Sequence, residues 1–286
     1  MTDCTASRPG FSLVLATVGR TDELANFLLR LDDQYHRSFE LIIVDQNDDN
    51  RIDPVIAPYR DRFPIMHLKS SRGLSLARNA GLSHASGDIV AFPDDDCWYD
   101  PDTLHRVEAL LREHSDWDGV TGGCTTPTGK LRFLDDKDGF LNKINVWRRA
   151  VSVSIFLRRS VVASVGEFDE NLGAGATAGF CSAEETDYLL RALERGFRIY
   201  YNSRLAVNHP DTDTSQDKTS TTKSYSYARG LGFVLKRHKY PVWYVSTVLC
   251  RSFAGIVLSL AMLDLTKARY YYFILKGRLS GWYEGS

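Results

Sequence analysis

Three consecutive carboxylates, Asp94, Asp95 and Asp96, follow the apolar run Ile89-Val90-Ala91-Phe92 after a single proline. Like charges this close repel, so placing them at the end of a buried segment favours a cation that holds them. Oxygen donors of this kind suit a hard divalent ion such as Mg²⁺ or Mn²⁺, and that ion in turn binds phosphates. Taken alone, the run reads equally well as a solvated acidic loop. Its surroundings have to decide.

Residues 12–17 read as a strand, and Thr21 caps a helix that places Leu24, Phe27, Leu28 and Leu31 on one face. A second strand is expected over 40–45 and a third around Ile65 to Leu68. A helix over 75–85, a strand over 88–92 and a helix over 103–114 follow, the last opened by Asp100-Pro101-Asp102 with the proline at its first position. This alternation predicts an α/β fold with a doubly wound, mostly parallel sheet, whose site lies beyond the carboxyl ends of the strands. Thr17, Asp45 and Asp94 all fall at such ends. Further on, 151–157 and 198–201 read as strands and 184–195 as a helix stopped by Gly196. The glycine-bearing stretch 171–182 is expected to be a mobile loop, and the Ser/Thr-rich stretch 211–226 a connector or lid.

The order of pieces is more specific than any one of them. Arg72-Gly73-Leu74-Ser75-Leu76-Ala77-Arg78-Asn79-Ala80-Gly81 precedes the Gly87-Asp88 turn, the apolar strand and Asp94-Asp95-Asp96, and Asp100-Pro101 opens the next helix. Gly166-Glu167-Phe168-Asp169-Glu170 and then Ala183-Glu184-Glu185-Thr186-Asp187 come later. Over residues 11–209 this sequence closely resembles the inverting family-2 glycosyltransferases of GT-A fold. The resemblance implies transfer of a sugar from a nucleoside diphosphate (UDP, dTDP or GDP type) to a hydroxyl of a glycan or lipid-linked glycan. It makes Asp94-x-Asp96 the Asp-x-Asp motif, with Asp96 holding Mg²⁺ or Mn²⁺ at the diphosphate and Asp94 touching ribose or metal. Asp95, at the variable middle position, is counted with Asp94 among the nucleotide-sugar-binding residues by the same likeness, although a side chain there can simply face solvent. His209 completes the metal shell by the same likeness. Thr17 and Asp45 contact nucleobase and ribose, Arg78 lies near the nucleotide, and Arg20 meets the diphosphate. The general base falls on Glu185 ahead of Glu184, because the family usually has Glu-Asp where this chain has Glu-Glu. Both glutamates also sit where a helix dipole stabilises carboxylates without any chemistry.

Composition bounds the rest. The 286 residues are 43% hydrophobic, enough for one large α/β domain with an appendage. Five scattered cysteines, with no C-x-x-C pair, argue for a reducing compartment and against a zinc site. The first ten residues have no apolar core, so no signal peptide is expected and cytoplasm is the default. From Lys236 to Ser286, eight Lys/Arg face two acids, giving +6 and leaving −7 on the remainder of a chain of net charge −1. The expected organisation is a GT-A catalytic domain over 8–210, a polar connector over 211–240, and basic-aromatic C-terminal helices over 241–286. Arg251 interrupts the apolar stretch 242–265, so a spanning helix is not expected. The mixture of aromatic and basic residues suits a helix lying on the inner face of a membrane, with a second subunit as the other cover. Nucleic acid is not an expected partner, since no binding motif accompanies the charge. Two rival readings are a non-catalytic scaffold in glycan synthesis and a sugar-phosphate nucleotidyltransferase. The second would carry a Gly-rich basic loop after its first strand, where this chain has Ala16-Thr17-Val18-Gly19-Arg20.

Overall fold

Strand β1 (Phe11–Thr17) is buried at all but one of its positions, as expected for a strand covered on both faces. It pairs in parallel with β2 (Phe39–Asp45) and with β4 (Ile89–Ala91), and β2 pairs in parallel with β3 (Ile65–Lys69). In this computed structural model the described residues are 8–126, 131–132, 135–210 and 221–285. They divide into two compact units. The first comprises Met1–Arg72, Leu76–Glu167 and Tyr188–Asp211, and the second Gly73–Ser75, Phe168–Asp187 and Thr212–Ser286.

All the described strands belong to one sheet of the first unit. Beyond β4 come β5 (Gly119–Thr125), the short β6 (Leu131–Arg132) and β7 (Gly139–Phe140), then β8 (Ile155–Arg158) and β9 (Ile199–Asn208). The spatial order is β3-β2-β1-β4-β8-β5-β9-β7, with β6 paired on β5. β8 runs antiparallel between β4 and β5, and β9 is parallel to β5, so the sheet is mixed but mostly parallel in its first half. Alternate residues Phe11, Leu13 and Leu15 face one layer, where Leu24, Phe27, Leu28 and Leu31 of helix Asp22–Asp32 and Leu104, Val107 and Leu111 of helix Thr103–Glu113 join them. On the other face, Gly81 of helix Leu74–Leu82 seats closely on Val14 and Val44. Helices therefore cover both faces of the parallel half.

Several local expectations shift. Helix Thr103–Glu113 has Asp102 at its N-cap position without a side-chain capping bond, so Pro101 lies just outside it instead of at its first position. The stretch 151–157 is not all strand: Ser152–Ser154 forms a 3-10 turn before β8. There the Ser154 hydroxyl donates to Gly122 O at 2.8 Å and also contacts Val151 O at 3.1 Å, the kind of local bonding that competes with a strand ladder.

In the second unit, helix Thr221–Arg237 occupies most of the stretch expected as a polar connector, 211–240; residues 211–220 lie outside the described ones. It is helical because it has a packing face of small residues. Ala228, Gly230 and Gly232 are buried; Ala228 lies against Gly277 of helix Leu265–Glu284, and Gly232 against Arg278 and Trp282 of the same helix. A Cβ on Gly281 would lie 2.0 Å from Arg229 O, so the two backbones touch there. Between these two comes helix Val242–Ala261, whose 20 residues have a mean hydropathy of 1.6 over its most apolar window. By length and composition it could cross a membrane, a point the position of Arg251 argued against. Its buried residues are Val245, Ser252 and Ser259, seven apart, while Trp243, Phe253 and Leu258 are each more than half exposed. The helix thus turns small and polar groups inward and apolar ones outward. The turn after it presents Met262 and Leu263, which are 75% and 88% exposed.

Candidate active site

The chain leaving β4 stays beside β1: Ala16 and Asp94 form a parallel bridge beyond the last regular pair. That bridge carries the three aspartates alongside the carboxyl end of β1 and the loop that follows it. The Thr17 hydroxyl donates to Asp95 Oδ2 at 2.7 Å. Arg20 Nη1 donates to Asp95 Oδ1 and to Asp96 Oδ2, both at 2.6 Å. On the far side, Trp98 and Asn208 form an antiparallel bridge, which fixes the end of β9 next to the aspartates. His209 is held there by its amide bond to Thr125 O at 2.8 Å, and its Nε2 lies 3.3 Å from Asp96 Oδ1. Asp94 meets Arg78 Nη2 at 3.3 Å, and Arg78 is a fully buried side chain.

The structure therefore brings Thr17, Arg20, Arg78, Asp94, Asp95, Asp96 and His209 together at the carboxyl ends of the sheet. Asp95 departs from expectation. It does not face solvent but is 5% exposed, because Thr17 and Arg20 both draw it inward. Burial pushes its carboxyl above the ordinary range, with Thr17 and Arg20 opposing. Asp96 behaves differently. Burial works against its charge, but the His209 hydrogen bond and the Arg20 guanidinium hold its carboxyl below the ordinary range. The same Asp96 hydrogen bond raises the imidazole of His209. Asp96 is thus kept as an anion at the point where a cation would be useful. Among the described residues no three His, Cys, Asp or Glu side chains gather into a complete metal site. Asp96 and His209 instead offer one carboxylate oxygen and one imidazole nitrogen side by side, a donor pair that could serve an ion completed by phosphate and water.

Asp45, at the end of β2, is completely buried and forms a second polar centre in the same unit. Its Oδ2 meets Lys69 Nζ at 2.8 Å and His67 Nε2 at 3.1 Å, while Oδ1 accepts from Asn47 N at 2.8 Å and Asn47 Nδ2 at 2.7 Å. Burial opposes the charge, yet these donors hold the carboxyl below its ordinary range. Lys69 and His67 were missed in the sequence, although a signal existed: they are two apart on one strand and so share a face. The register, Ile43 opposite His67 and Asp45 opposite Lys69, then aims that face at Asp45.

Glu184 and Glu185 belong to the second unit, at the start of helix Glu184–Glu194. Glu184 is buried, and its side chain lies against Gly173; Glu185 is half-buried. The loop expected to be mobile, 171–182, is cross-braced in the same unit. Gly173 N donates to Phe180 O at 2.9 Å, and Ser75 Oγ donates to Leu172 O at 2.6 Å.

Residues 12–149 match the family model described as glycosyl transferase family 2. A glucosyl-dolichyl phosphate glucuronosyltransferase of Haloferax volcanii is 27% identical over 191 residues, 62% of this chain and 60% of that protein. The match thus spans about three-fifths of that relative's length. Among solved structures, Staphylococcus aureus TarS 1–349 in complex with UDP-GlcNAc superposes with a TM-score of 0.61 at 16% identity, covering 95% of this chain and 92% of that one. A mannosyltransferase from Pyrobaculum calidifontis in complex with GDP-Man and Mn²⁺ gives 0.64 at 13% identity, covering 98% and 89%. The sheet is accordingly that of the GT-A fold, with C-terminal helices appended, and residues 12–149 of the chain are similar to glycosyl transferase family 2.

Proposed function

We propose that this chain is a metal-dependent, inverting glycosyltransferase that moves a sugar from a nucleoside diphosphate to a hydroxyl of a glycan or lipid-linked glycan. The observation that carries the reading is the convergence of Thr17, Arg20, Asp95, Asp96 and His209 at the carboxyl ends of a parallel sheet. Asp96 and His209 would hold Mg²⁺ or Mn²⁺, as the ionised carboxylate and its adjacent imidazole favour. When bound, the ion neutralises charge building on the leaving diphosphate. Arg20 adds a fixed positive charge beside it, and Asp45 with Asn47 and Lys69 receives the nucleobase and ribose. An inverting transfer is one displacement, so a single carboxylate takes the acceptor proton. We assign that role to Glu185 ahead of Glu184, a choice that the lower burial of Glu185 supports. The TarS and mannosyltransferase structures hold nucleotide sugars, the second with Mn²⁺, which supports the donor class.

The outward apolar face of helix Val242–Ala261 supports a lipid-linked acceptor met at the cytoplasmic face of a membrane. Small residues toward the neighbouring helix and apolar ones outward is the arrangement lipid favours. The function is tested by release of nucleoside diphosphate from a panel of nucleotide sugars with Mn²⁺. Glu185→Gln should keep donor binding and lose roughly 100-fold or more in turnover, the scale of a removed general base. Loss in Glu184→Gln alone would move the base to Glu184; turnover unaffected in both would contradict a carboxylate base here.

A further inference from the structure

We infer that the end of helix Thr221–Arg237, through His238 and Arg237, is the positioning device for the Glu184–Glu185 carboxylates. The inference rests on the functional reading above for what those carboxylates do, but its geometry lies wholly within the second unit. Asp187 sits one turn into helix Glu184–Glu194 and is completely buried. Its Oδ1 meets His238 Nε2 at 2.9 Å, and His238 is only 4% exposed. Arg237 Nε lies 3.5 Å from the same oxygen. Arg237 also pairs through Nη1 with Asp169, whose other oxygen accepts from Asn171 N at 2.9 Å and Asn171 Nδ2 at 2.8 Å. Two carboxylates from separate segments, one in the Gly-Glu-Phe-Asp turn and one just after the glutamates, thus converge on two adjacent residues at one helix end.

The same helix grips the other side of the glutamates. Ser182 Oγ donates to Tyr227 O at 2.7 Å, and a Cβ on Gly230 would stand 2.4 Å from Ser182 O, so the helix backbone lies directly against the chain there. Between these two grips is Ala183, a non-glycine residue with φ of +70°. A left-handed alanine is unfavourable by itself and persists only where its surroundings over-determine it. Here they do, with Ser182 fixed on one side and Asp187 on the other. The residues released by that turn are Glu184 and Glu185. A general base must be held within a few tenths of an ångström to act, and a helix start whose first turn is clamped at both ends meets that need. Asp187 and His238 act on the glutamates through the start of their helix, so they are positioning residues, not catalytic ones.

The experiment is hydrogen–deuterium exchange on the full chain, comparing wild type with His238→Ala, His238→Gln and Ser182→Ala. Glutamine retains a donor able to reach Asp187. In His238→Ala, amides of 183–187 should exchange about tenfold faster or more, with β1 and β4 unchanged, and His238→Gln should restore protection. Ser182→Ala, a milder change, should raise exchange over the same residues by a few-fold, and it decides the matter if His238→Ala does not fold. Nucleoside diphosphate release should lose about tenfold in kcat in His238→Ala with KM for the donor within twofold, and recover with glutamine. Unchanged exchange at 183–187, a rise spread over the whole chain, or a loss that glutamine does not restore would overturn the inference. Should the wild type turn over no donor, the function above fails, while the exchange pattern still decides the positioning.

Discussion

Replacing Arg20 by methionine should strengthen, not weaken, Mn²⁺ binding in the absence of nucleotide. Arg20 Nη1 lies 2.6 Å from Asp95 Oδ1 and 2.6 Å from Asp96 Oδ2, so an ion arriving at Asp96 meets a resident cation. The Asp95 contact can persist when the ion binds; the Asp96 contact cannot. Because the Arg20 side chain is 43% exposed, that contact is worth only about 0–1 kcal/mol after solvent screening. Repulsion between the guanidinium and a divalent ion about 5 Å away adds on the order of 1–2 kcal/mol in a water-like dielectric. Removing both should tighten Mn²⁺ by roughly tenfold, since about 1.4 kcal/mol is a factor of ten. With nucleoside diphosphate present the sign reverses. The phosphates become an alternative partner for Arg20, so Arg20→Met should bind the nucleotide–Mn²⁺ pair more weakly than wild type. Titration calorimetry with Mn²⁺ alone, then with nucleotide, measures both terms. Equal or weaker Mn²⁺ binding by Arg20→Met without nucleotide would refute this account of Arg20 as a displaceable counter-ion.

Asp45→Asn should flatten the acid limb of stability. The folded carboxyl lies below its ordinary range despite burial, because Lys69, Asn47 and His67 hold the charge. As pH falls the unfolded chain therefore takes up this proton first, so the Asp45 contribution is full above the ordinary carboxylate range and is lost as pH falls toward the folded value. Tm measured from about pH 5 to pH 3 should fall less steeply in the variant than in wild type, and parallel curves would contradict the assignment. The C-terminal hairpin gives a third prediction. Wild type should co-sediment with vesicles of mixed neutral and anionic lipid, and Leu258→Asp with Leu263→Asp should leave the chain in the supernatant with Tm unchanged, since both side chains are exposed. Equal partitioning of both proteins, or a dimer in wild type that the variant dissociates, would replace lipid with a second copy as the cover of that face.

Much of the parallel half was legible in the sequence because it is built from periodic apolar runs. Strands 12–17 and 40–45 and the helix bearing Leu24, Phe27, Leu28 and Leu31 stand within a residue or two of expectation. The Thr17, Asp45 and Asp94 strand ends followed from those runs. What escaped depends on pairing across the chain. His67 and Lys69 matter only through the β2–β3 register, and Asp95 is buried because Thr17 at the end of β1 and Arg20 in the loop after it both bond to it. Helix Thr221–Arg237 was read as a connector because it opens in the Ser/Thr-rich stretch, and the first part of its buried face, Ala228, Gly230 and Gly232, carries no large apolar side chain; Val234 and Leu235 come only near its end. The pairing of Asp187 with His238 joins residues 51 apart, and neither type signals it locally.

The most direct measurement is nucleotide binding by calorimetry with UDP, GDP, dTDP and CMP, each with and without Mn²⁺, on wild type and Asp96→Ala. The expected result is tight binding of one nucleoside diphosphate that requires both Mn²⁺ and Asp96, with loss of roughly 10–100-fold on removing either. Binding that survives in Asp96→Ala with Mn²⁺ present, or no binding of any nucleotide by wild type, would contradict a metal-dependent nucleotide-sugar site at the end of β4.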